Sequence, residues 1–74
     1  MHLQIVIDST GDTRHEFDPT DHVSLATAEE RFHELTAKGF RAVALGKDGA
    51  PGDLIRKFDP QAKQTLFVPQ LQGG

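Results

Sequence analysis

One segment of this chain carries a helical period. From about Ser24 to Lys38, Leu25, Ala28, Phe32 and Leu35 recur at steps of three and four, which places them on one face of a helix. The other apolar residues come in short runs of strand character. A lone helix can cover only one face of a sheet. The chain is therefore expected to be an α+β layer, with one helix packed on one face of a four- or five-stranded sheet. Its 74 residues make a single domain near the lower size limit for an independent core. Cysteine is absent, so no disulfide or thiolate metal site can staple the fold and packing must hold it. With five Phe and no Trp or Tyr, that packing has to rest on Phe, Leu, Ile and Val.

The strands are read from period and punctuation. In LQIVID (3–8), Leu3, Ile5 and Ile7 point one way and Gln4, Val6 and Asp8 the other, a half-buried strand. STGD follows, with Gly11 available for positive φ, and TRHEFD (13–18) reads as a more polar partner in a hairpin. DPTD (18–21) breaks that strand. Ser24 is the expected N-cap of the helix, with TAEE (27–30) as a later capping box. Gly39 fits the left-handed position after the helix, and Phe40 is expected to fold back onto Leu35. FRAVAL (40–45), DLIRKF (53–58) and TLFVPQL (65–71) are the remaining strands, separated by the turn GKDGAPG (46–52) and the breaker DPQAKQ (59–64). The order is β-β-α-β-β-β.

Several chemistries are disfavoured. Eleven Asp and Glu against eight Lys and Arg argue against nucleic acid, which a basic face would announce. No apolar run reaches the roughly 18 residues of a membrane span, and MHLQIVIDST lacks the basic start and cleavage pattern of a secretion signal. A soluble, cytoplasmic protein is expected. His2, His15, His22 and His33 are scattered, with no H-x₃-H pair, so no metal site is expected. DSTGDTRHEFD (8–18) places Gly11 fourth rather than sixth and has Pro19 where a calcium loop needs its bidentate Glu. LGKDGAPGD (45–53) lacks P-loop spacing and a following helix. Arg41, Arg56, Lys57 and Lys63 could form a modest basic patch, read here as a solvated face.

The two ends of the chain resemble a known family. STGDTRHEFDPTD (9–21) resembles the opening hairpin and helix approach of ubiquitin. TLFVPQLQGG (65–74) is similar to the ends of bacterial sulfur carriers, the small subunit of molybdopterin synthase and the thiamine-pathway carrier. Residues 40–64 carry no part of the likeness. The resemblance implies a β-grasp-like fold, with a single ubiquitin-like domain over 1–71 and a flexible C-terminal tail over 72–74. It also implies a non-enzymatic role. An adenylating enzyme of the kind that activates ubiquitin would join the Gly74 carboxylate to AMP, with ATP used by that partner and no cofactor bound here. The acyl group would then pass to a sulfur acceptor as a thiocarboxylate, or to an amine on a target protein.

The chemistry of the tail supports the same expectation. A carboxylate is a poor acyl donor until a better leaving group is attached, and the reacting carbon must enter another protein's nucleotide site. Gly73 and Gly74 have no side chains, so the backbone can approach a nucleotide closely. Pro69 lacks an amide hydrogen and is expected to mark where sheet pairing ends. Leu71 and Gln72 would be the recognition residues behind the reacting end. The alternative is a small non-enzymatic interaction module with an inert tail, since small residues are tolerated at chain ends.

Overall fold

The computed structural model describes residues 1–46 and 52–70. The expected turn at 46–52 falls largely outside these residues, as do Leu71, Gln72, Gly73 and Gly74.

Strands β1 (His2–Asp8) and β2 (Gly11–Phe17) form an antiparallel hairpin closed at Asp8↔Gly11. The Asp8 carboxylate accepts from the Thr10 hydroxyl at 2.6 Å and amide at 2.8 Å, and these bonds hold Asp8 below its ordinary pKa. Gly11 takes φ +125°, a conformation costly for any residue with a Cβ. Asp18 repeats the device, accepting from the Thr20 hydroxyl and amide at 2.7 and 2.9 Å as the chain turns towards the helix.

Helix α1 runs His22–Ala37, starting earlier than its period suggested. Its N-cap is Asp21, whose carboxylate accepts from the Val23 amide at 3.2 Å. Ser24 is therefore not the cap. It sits in the first turn, and its hydroxyl accepts from the Asp18 amide at 2.8 Å, tying the helix to the preceding turn. Thr27 does not open a capping box either, because its hydroxyl donates back to the Val23 carbonyl within the helix. The helix closes as expected. Gly39 takes φ +101° and donates to the Thr36 carbonyl, and Leu35 and Phe40 each pack against the core.

Three further strands complete the sheet: β3 (Phe40–Ala44), β4 (Leu54–Ile55) and β5 (Gln64–Pro69). Strand β4 is two residues long instead of the six expected from DLIRKF. The chain bends at Arg56 and Lys57, and Phe58 turns back to pack on Phe17 and Phe32. The order across the sheet is β2-β1-β5-β3-β4, with β1 and β5 parallel and the other pairs antiparallel. The result is a small α+β domain with one helix on a five-stranded mixed sheet.

The helix covers the face of β1 that carries Gln4 and Val6, leaving Leu3, Ile5 and Ile7 on the opposite side. The core consists of Val6, Phe32, Ala42 and Phe67, ringed by Leu35, Phe40, Ile55 and Phe58. Phe32 and Phe67 meet edge to face with ring centres 5.8 Å apart, a favoured geometry for aromatic pairs. Gln4 and Thr65 are buried on the same face. Gln4 satisfies both ends of its amide: its Nε2 donates to the Ala28 carbonyl at 3.0 Å, and its Oε1 accepts from an Arg31 guanidinium nitrogen at 2.9 Å.

Candidate functional site

The expected site residues, Gly73 and Gly74 for activation and Leu71 and Gln72 for recognition, lie outside the described residues. The structure does place the strand that leads to them. Strand β5 lies at the centre of the sheet between β1 and β3 and ends at Pro69. Opposed residues of an antiparallel pair alternate between bonded and unbonded positions. The bonds Leu45 N–H to Gln64 C=O and Gln70 N–H to Gly39 C=O set that phase, so Phe40↔Pro69 is an unbonded pair. Pro69 thus costs β3 no ladder bond, and its nitrogen faces the β1 side, where the register has already ended at Val6↔Phe67. Pairing outlasts the proline by one residue, through Gln70.

The described surface carries a feature the sequence reading passed over: the sheet face opposite the helix. Pairing places Arg14, Ile5, Leu66, Val43 and Leu54 in one row across all five strands. A second row holds Asp12, Ile7, Val68 and Arg41, since Val68 follows Phe67, which is level with Val6. Glu16, Leu3 and Gln64 form a third. The centre of this face is aliphatic, and its exposure is greatest at Ile7 (38%) and Leu54 (49%). At the third row lies an open depression of about 490 Å³, lined by Leu3, Arg14, Glu16, Lys63 and Gln64 among others. The signal for this face was present in LFV (66–68). Three consecutive apolar residues make a strand apolar on both sides, and a lone helix buries only one of them.

The cations of the modest basic patch, read as a solvated face, do not all line one pocket. Arg41 and Arg56 line a groove of about 340 Å³ at the β3–β4 edge with Phe40, Leu54 and Ile55. Lys63 belongs to the depression beside β1 and β2.

The histidines are not brought together, and no group of three or more metal-ligating side chains occurs among the described residues. His33 meets Glu29 across one helical turn at 3.7 Å, with both side chains exposed. His15 lies opposite Gln4 on the helix-covered face. Burial first, and then the nearby Arg31 charge, push its imidazole below the ordinary pKa and favour the neutral ring. No helix among the described residues is long and apolar enough to cross a membrane.

Comparison with protein families, with curated proteins and with solved structures finds no match.

Proposed function

We propose that this chain is a ubiquitin-like carrier or modifier that acts through the Gly74 carboxylate. Element order carries the reading: β-β-α-β-β-β with strand order β2-β1-β5-β3-β4, an arrangement compatible with the β-grasp. The final strand in sequence, β5, is central and parallel to the first, so the segment after Gln70 leaves from a firmly held strand. Gly73 and Gly74 then supply a tail slender enough for a nucleotide pocket.

In the reaction, a Gly74 carboxylate oxygen attacks the α-phosphorus of ATP on a partner adenylating enzyme, and pyrophosphate leaves. Sulfide, or a cysteine thiolate of a partner, then attacks the acyl carbon and displaces AMP. Leu71 and Gln72 are the residues the partner reads. The catalytic groups belong to that partner, which makes this chain the substrate.

The test is ATP-dependent pyrophosphate release with an adenylating enzyme of the ubiquitin-activating kind from the same host. Full-length protein is expected to support release, and protein lacking Gly74 to fold normally and support none. Release by the truncated protein would overturn the proposal. A second reading, a non-enzymatic interaction module, is favoured by the aliphatic open face of the sheet. It expects partner capture to survive deletion of Gly73 and Gly74.

A further inference from the structure

We infer that the open sheet face pairs two copies of this chain face to face, about a two-fold axis parallel to the strands. The inference rests on the described strands alone, independently of the tail. Such an axis reverses the strand order of one sheet over the other, so β5 faces β5, β1 lies over β3, and β2 lies over β4. The row Arg14–Ile5–Leu66–Val43–Leu54 then meets its own reverse. Leu66 packs on Leu66, Ile5 on Val43, and the aliphatic stem of Arg14 covers Leu54 with its charge at the rim.

The neighbouring row gives the arrangement its direction. Asp12–Ile7–Val68–Arg41 runs from acid to base with aliphatic residues between. Reversed over itself, it brings Asp12 of one copy to the side of the sheet that carries Arg41 of the other, at the same level along the strands, twice per dimer. An axis perpendicular to the strands would keep β2 over β2 and gain no such pairing. Arg41 makes no ion pair among the described residues, while Asp12 has only an exposed 3.4 Å contact with Arg14 in its own strand. Both are therefore available across an interface. Stacked sheets pack about 10 Å apart, within the combined reach of an arginine and an aspartate side chain.

Area sets the strength. The five strands hold 27 residues, which at about 3.3 Å per residue and about 4.8 Å between strands present about 430 Å² per copy. The total of about 860 Å² is below the usual size of a stable specific interface. The dimer is accordingly weak and reversible.

Sedimentation equilibrium of the full chain at low salt, up to about 1 mM, tests this. A concentration-dependent dimer is expected. Arg41→Asp and Asp12→Lys should each raise the dimer Kd by about threefold to tenfold, and the combined variant should recover most of that loss. Leu66→Asp should abolish association while circular dichroism shows the fold retained. If that variant does not fold, Leu54→Lys, which sets a cation against Arg14 of the other copy, replaces it. A protein that stays monomeric at the highest concentration overturns the inference, as does a dimer indifferent to the Leu66 or Leu54 variant. A combined charge variant no better than either single one overturns it too, and capture of a different protein on this face without self-association counts against it equally.

Discussion

Gln4 is a buried amide in a strand of aliphatic residues, and it lies on the covered side. Both of its polar ends are bonded, to the Ala28 carbonyl and to Arg31. The two partners differ in what they lose without it. The Ala28 carbonyl lies in the helix interior and keeps its helical bond, whereas Arg31 is only half-buried and can turn to water. Gln4→Ala leaves a void and should lower stability by about 1–3 kcal/mol. Gln4→Met fills the same volume without an unsatisfied amide and should cost less than about 1 kcal/mol. Urea denaturation of the two variants checks this. Equal losses would mean that the Gln4–Arg31 bond, not the filled volume, stabilises the seam. From sequence, Gln4 was correctly placed opposite Leu3, Ile5 and Ile7, but nothing in LQIVID says which face the helix takes. That choice depends on residues distant in the chain. Phe67 and Ala42 share Gln4's face, and the small, buried Ala28 and Ala42 let Phe32 close over it.

Helix α1 shows which local features can be read directly. Its body was legible because a three-four period has few alternative explanations, and its end because Gly39 is suited to φ +101°. Its start was misread because Asp21 and Ser24 are both cap-type residues, and only the turn at Asp18–Pro19 decides between them. The structure gives the cap to Asp21 and a bond to the Asp18 amide to Ser24. Asp21→Ala should therefore lower stability by about 0.5–2 kcal/mol and speed hydrogen exchange at Val23. Ser24→Ala should instead speed exchange at Asp18. Faster exchange at Ala26 or Thr27 in the Ser24 variant, the pattern of a lost cap there, would contradict this helix start. Strand β4 failed for a related reason. Ile55 and Phe58 both pack on the core, and a spacing of three cannot keep two residues on one face of a strand. The bend at Arg56 and Lys57 resolves the conflict.

The two faces of the sheet divide stability from recognition, and this separation is testable. A chain of 74 residues has a typical unfolding free energy of about 4–11 kcal/mol. Phe32 touches the rings of Phe58 and Phe67 and is almost fully buried. Its replacement by Ala should cost about 3–5 kcal/mol, a large share of that stability. Leu66 lies next to Phe67 in the same strand but faces away from the helix, where only cross-strand neighbours support it. Leu66→Thr keeps strand propensity and should cost about 1 kcal/mol or less. Urea midpoints with unchanged slopes would establish the contrast. A loss above about 2 kcal/mol for Leu66→Thr would make the open face a second structural face. Gly-Gly after a proline-ended strand is a local pattern that can be picked out from the sequence alone, and Leu71, Gln72, Gly73 and Gly74 lie outside the described residues. The sequence did not show the open face, whose rows draw on all five strands and exist only once β5 is placed between β1 and β3. An aliphatic surface that stability does not require needs another reason to be aliphatic, and an occupant that covers it supplies one.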